Sequence, residues 1–123
     1  MNPADIYRTQ AINTMPFNIQ LSQLHERGAL LTRQALADAE SGQLQEMRTN
    51  LEELQNIITF LRSSLDPSLE VSAMTDQTYA YFYKVTVRWY LHPDSMKEDY
   101  DAMILFWQSW AETWRKVPTN TAL

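Results

Sequence analysis

Between Leu44 and Leu65 a run of apolar residues falls at Leu44, Met47, Leu51, Leu54, Ile58, Leu61 and Leu65. The steps between them alternate three and four, which draws one narrow stripe along an α-helix and keeps it for three heptads. Polar residues fill the positions between, Gln45, Glu46, Arg48, Asn50, Glu52, Glu53, Gln55, Asn56, Thr59 and Arg62 among them. A helix with a single apolar seam needs other helices to bury it. The stretch therefore predicts an all-α fold in which this helix is one rod of a bundle.

The flanking sequence supplies the other rods. Residues 1–15 carry no helical period, and their apolar members are Ile6, Tyr7, Ile12 and Met15. They read as an N-terminal arm, and Tyr7 and Ile12 are apolar enough to lie in a groove of the bundle. Pro16 suits the first position of a helix, where its missing N–H costs nothing. That helix runs to about residue 41 with Gly42 as its stop. Its seam is Leu24, Gly28, Leu31, Ala35 and Ala39. Gly28 inside a helix costs ~1 kcal/mol relative to Ala, a cost usually offset by close approach of a neighbouring helix or a bound chain.

The linkers are short. The second helix spans 43–65, and Asp66-Pro67 reads as cap and first position of a third over 67–91. That helix has two apolar stripes about 100° apart. Val71, Met74, Thr78, Tyr81 and Val85 form one, expected to face the core; Tyr79, Tyr83, Thr86 and Tyr90 form the other, expected to need a further surface. After His92-Pro93-Asp94, Ser95 with Glu98 reads as a capping box opening a fourth helix over 95–117. Its stripe is Met96, Tyr100, Met103, Trp107, Trp110, Trp114 and Val117, with Leu105 pointing away from it. Four rods of roughly 35–39 Å at 1.5 Å per residue, joined by short turns, predict an antiparallel up-down-up-down four-helix bundle. The expected organisation is an arm (1–15), a bundle (16–117) and a tail (118–123).

Composition narrows the function. At 123 residues with 45% apolar content the chain is one domain with room for a core. A net charge of −5 argues against nucleic acid and against an anionic membrane surface. There is no Cys, so thiolate metal sites and thiol catalysis are absent. The start lacks the basic-then-apolar run of a secretory signal, and no stretch approaches the ~18 apolar residues of a membrane span. A cytoplasmic location is expected.

Catalytic patterns do not emerge. Neither His25 nor His92 has a carboxylate three residues before it, so the Glu-x-x-His ligands of di-iron bundles are missing. The acids Asp94, Glu98, Asp99 and Asp101 suit the dipole at the start of the fourth helix. No phosphate loop or nucleophile elbow is present, and the seven Arg are spread along the chain. No enzyme, metal or cofactor is expected. What rises above background is the aromatic surplus of the third and fourth helices, where Tyr offers a flat face with a polar tip suited to interfaces.

Several segments resemble the flagellin export chaperones (FliS). Tyr7-Arg8-Thr9-Gln10-Ala11-Ile12-Asn13-Thr14 is similar to that family's opening, and Leu24-His25-Glu26-Arg27-Gly28-Ala29 resembles its Leu-Tyr-acid-Gly-Ala element. Asn56-Ile57-Ile58 with Ser63-Ser64-Leu65-Asp66 resembles its second-helix ending, Tyr79-Ala80-Tyr81 its Leu-Tyr-Asp-Tyr, and Trp114-Arg115 its closing pair. Departures are Met15-Pro16-Phe17 where the family has Ser-Pro-Glu, and His25 where it has Tyr. The resemblance implies a cytoplasmic, non-enzymatic chaperone. It would bind the disordered C-terminal segment of flagellin in hydrophobic grooves, prevent premature polymerisation and deliver the client to the export apparatus. The resulting partner-binding candidates are Tyr7, Ile12, Gly28, Ile57, Tyr79, Tyr83, Tyr90 and Leu105. The rival readings are a self-associating helical adaptor without a flagellin client, and a small helical enzyme.

Overall fold

The computed structural model describes residues 17–116. They form four α-helices and, among the described residues, no strand: α1 (Phe17–Glu40), α2 (Leu44–Ser63), α3 (Glu70–Leu91) and α4 (Tyr100–Lys116), with one 3-10 turn at Pro93–Ser95. The expected arm, Pro16 and the tail lie outside the described residues.

Local chemistry explains the helix ends. Gly42 has φ +77 and terminates α1. Its N–H donates to Ala39 O at 3.2 Å and that of Gln43 donates to Asp38 O at 2.8 Å, which satisfies two of the carbonyls left open at a helix C-terminus. Asp66 does not cap α3. Its carboxylate accepts from the backbone N–H (2.9 Å) and hydroxyl (2.7 Å) of Ser68, closing a separate turn. Leu69 is then extended, with ψ 132, so the regular helix begins only at Glu70.

The fourth helix also starts later than the sequence suggests. Ser95 donates its hydroxyl to His92 O inside the 3-10 turn and opens no helix. Asp99, at φ 65, breaks the chain direction before α4. Two side chains of α3 hold Asp99 there: Arg88 Nη2 donates to its carboxylate at 2.7 Å and the Tyr81 hydroxyl at 3.1 Å. The capping-box expectation is not met: Asp99 takes a left-handed conformation held by contacts from α3, and α4 begins at Tyr100.

Cross-helix pairs define the packing. Asn50 donates to Asp38 and Arg27 to Glu53 between α1 and α2. Arg62 donates to Asp76, and Arg48 to Tyr90 O, between α2 and α3. Ser22 donates to Ala111 O at 2.6 Å and Asn18 to Trp114 O at 3.2 Å between α1 and α4. Helices α3 and α4 meet through rings, Phe82 on Phe106 at 4.5 Å and Tyr79 on Trp110 at 5.1 Å between centroids. Across every interface the residue numbers run in opposite order. The core between the helices holds Leu21, Leu24, Leu31, Met47, Leu51, Leu54, Ile58, Trp89, Met103 and Trp107, all buried.

Candidate functional site

The middle of the α2 seam behaves as its spacing dictates, with Met47, Leu51, Leu54, Ile58 and Leu61 buried, while Leu44 at its start is exposed and Leu65, past the helix end, is half-buried. Ile57, expected off that seam, is also buried. The reason is that α2 is packed by α1 on one side and α3 on the other, which widens its buried arc beyond a single stripe. Gly28 is buried too, and what approaches it is the neighbouring helix. A Cβ placed there would lie 2.5 Å from Cε3 and 2.7 Å from Cε2 of Trp107.

On α3 the stripe expected to face the core is buried only at Val85, and the stripe expected to need a further surface is buried or half-buried. Tyr79 is 1% exposed and Thr86 is buried, whereas Val71 is 63%, Met74 70% and Tyr81 49% exposed. Tyr83 and Tyr90 are half-buried and packed against the core. Tyr90 is engaged by α2: Arg48 lies 5.3 Å from its ring centroid, and its hydroxyl donates to Glu52 at 3.2 Å. Open apolar surface on α3 includes the Val71–Met74–Thr78–Tyr81 face, stepping three, four, three along the helix, and separately Val87 and Leu91 toward its end. Leu105 on α4 is 64% exposed, as expected from its position away from the stripe. Tyr7 and Ile12 lie outside the described residues.

A buried polar contact meets the inward-facing hydroxyl of Tyr79. His25 is fully buried, with Nδ1 2.7 Å from Leu21 O and Nε2 3.0 Å from the Tyr79 hydroxyl. Since Leu21 O can only accept, Nδ1 carries the proton and Nε2 accepts from Tyr79. Rings of Tyr79, Phe106, Trp107 and Trp110 surround the imidazole at 5.6–6.1 Å. Burial drives the His25 pKa down from 6.5 to about 4, against the opposing pull of its backbone hydrogen bond. Burial likewise pushes the Tyr79 phenol well above its ordinary range, with a hydrogen bond from Trp114 acting in the other direction. His25 is thus a neutral core residue that satisfies a tyrosine. Sequence reasoning missed Val71, Met74 and Tyr81 as open surface. The available signal was His25 on the α1 seam side, a polar group needing a polar partner on a facing helix.

At the edge of the exposed face, the guanidinium of Arg88 and then the hydroxyl of Tyr81 hold the Asp99 carboxyl below the usual carboxylate range. Hydrogen bonding to Asp99 raises Tyr81 in turn. A cleft of about 250 Å³ between α1 and α4 gathers charge, with Glu26, Arg33, Glu112 and Arg115 around Ala29 and Ala111. Its charges neutralise one another, since Arg115 pairs with both Glu26 and Glu112. Among the described residues no three His, Asp or Glu side chains are placed to hold a metal ion, and no helix is long and apolar enough to cross a membrane.

The geometry is that of a helix presenting apolar side chains without a partner. Among families, the one described as flagellar protein FliS matches residues 1–121. No curated protein and no solved structure matches the chain.

Proposed function

The chain belongs to the flagellar protein FliS family, and from that premise we propose that it is a cytoplasmic export chaperone for flagellin. It binds the disordered C-terminal segment of flagellin, keeps it from polymerising early and hands it to the export apparatus. The observation carrying this reading is the exposure of Val71, Met74 and Tyr81 along one face of α3. An amphipathic client segment recognises such a face by laying its own apolar positions against it. Burial of that surface at ~25 cal/mol per Å² offsets the ordering of the client.

The opposed residue order across all four interfaces supports the up-down-up-down arrangement, with the client on the outside of the α3 rod. The contact set proposed for the client is Val71, Met74, Thr78 and Tyr81, with Leu105 as a separate point on α4. Gly28, Ile57 and Tyr79 act through packing. The N-terminal arm, with Tyr7 and Ile12, is proposed to compete for client surface, so removing residues 1–15 tightens peptide binding.

Titration calorimetry with a peptide of the flagellin C-terminus tests the proposal. One-to-one binding, with a gain of helical circular dichroism in the peptide, is the expected result. Absence of heat and of helix gain overturns it. A concentration-dependent dimer in sedimentation that the peptide leaves undisturbed assigns the face to self-association instead.

A further inference from the structure

Thr78 and Tyr81 share the open face of α3 with Val71 and Met74, and Thr75 stands beside it. Each of the three hydroxyls is already donating inside the protein. Thr75 donates to Val71 O at 3.0 Å and Thr78 to Met74 O at 3.2 Å, both within the helix. The Tyr81 hydroxyl donates to Asp99 Oδ1 at 3.1 Å, outside it. What remains for a partner, along about 15 Å of helix, is methyl, thioether and ring.

The threonine bonds are local and open to any helical threonine. The Tyr81 bond is tertiary. Its ring stands edge-on to Phe82, 5.1 Å between centroids and 72° between planes, and Phe82 stacks on Phe106 at 4.5 Å. Its hydroxyl ends on Asp99, which is itself fixed. Arg88 Nη2 donates to the other carboxylate oxygen of Asp99 at 2.7 Å, and fully buried Trp89 donates from Nε1 to Glu98 O at 3.3 Å. Three side chains of α3 thus converge on residues 98 and 99, so the acceptor for Tyr81 is placed by the core. Ordering an exposed side chain is one of the costs of binding. Tyr81 is ordered before a partner arrives, and a client residue laid on its ring leaves no hydroxyl unpaired.

We propose that Asp99 is a positioning residue for client binding: it clamps Tyr81 so that the ring, its polar tip already paired, completes the apolar face of Val71, Met74 and Thr78. This rests on the reading of that face as the client surface. The matching occupant is the apolar stripe of an amphipathic helix, with no hydrogen-bonding group among its contacting side chains.

Tyr81→Phe separates the clamp from plain apolar contact. It removes one oxygen atom from an exposed site and leaves a more apolar ring, so by apolarity alone it would bind the flagellin peptide as tightly as wild type or tighter. With the clamp, calorimetry shows binding weaker by roughly three- to tenfold, the range for ordering one side chain. Asp99→Gly removes the same bond from the other side, and glycine accepts φ 65 without strain. It is expected to weaken binding by a similar factor, and the double variant no further than either single. Tyr81→Phe binding as tightly as wild type overturns the proposal, and so does a double variant whose loss is the product of the two singles.

Relaxation of the Tyr81 ring carbons in NMR reads the clamp without a client, ordered in wild type and mobile in Asp99→Gly. Peptide binding by wild type, with a ring equally ordered in both proteins, removes the clamp alone. A ring freed by Asp99→Gly, in a chain whose wild type binds no peptide, retains the clamp and removes the export-chaperone reading.

Discussion

The indole of Trp107 lies against the backbone of Gly28, close enough that a single added carbon would meet three atoms of the ring. The ring is fully buried, with Phe106 at 4.8 Å and His25 at 5.6 Å between centroids, so it has no room to withdraw. In an isolated helix, Gly28→Ala would gain ~1 kcal/mol in propensity. Here overpacking costs ~1–3 kcal/mol and reverses the sign. The expected outcome is a lower urea midpoint with unchanged slope, a net loss of up to about 2 kcal/mol on that balance.

Exposure at the α3 face separates binding from stability. Met74 has few neighbours to lose, so Met74→Glu is expected to change stability by no more than about 0.5 kcal/mol. The same substitution places a charge where the client would bury apolar surface, and is expected to weaken peptide binding at least tenfold. Ile57→Ala should do the opposite. It empties a fully buried site at a cost of ~2–5 kcal/mol and leaves the affinity of the folded fraction within twofold. Thermal melts and calorimetry on the two variants check the pair; equal effects on binding would remove the α3 face as the contact surface.

Heptad spacing made the α2 seam legible, and Gly42 marked the end of α1, because both are decided by a few neighbouring residues. The orientation of α3 was not legible in the same way. Two apolar stripes leave a periodicity rule without a clear preference, and the inward Tyr79 meets its polar partner His25 more than fifty positions away in the chain. The start of α4 was hidden because it turns on residues distant in the chain. Ser95 and Glu98 have the right types for a capping box, but Arg88 and Tyr81 draw Asp99 into a left-handed conformation that no helix beginning at Ser95 could pass through. On the candidate site, Leu105 could be read from its helix angle. Val71 and Met74 could not: Val71 lies in the first turn of α3, in the same helical direction as buried Trp89 five turns on, and helix periodicity does not say where along the rod packing ends.

Asp99 does two things at once, and variants separate them. At φ 65 a side chain with a Cβ is strained, least so for Asn and Asp and not at all for Gly. Asp99→Ala therefore adds strain of ~1 kcal/mol and removes the acceptor for Arg88 and Tyr81. Asp99→Asn keeps a tolerated backbone and one acceptor oxygen. Asn is expected to be the milder change, by about 1 kcal/mol on that strain term, with urea unfolding of both as the measurement. If Ala proves as stable as Asn, the backbone conformation at this position carries no cost.

Acid should loosen the protein in a window set by His25. In the folded chain its pKa is lowered from 6.5 to about 4 by burial. Between those values the unfolded chain binds the proton and the folded chain does not, so stability rises with pH there. The contribution is complete above pH 6.5 and is lost as the pH falls toward 4, amounting to roughly 3 kcal/mol across the full interval. Asp76 and Asp99, held below their ordinary value of 3.8 chiefly by Arg62 and Arg88, titrate in a separate and more acidic window. Urea midpoints at pH 7.5, 5.5 and 4.5 should therefore decline for the wild type, and the decline should flatten in His25→Phe. A flat wild-type profile over that range would mean that the imidazole takes up its proton without leaving the core.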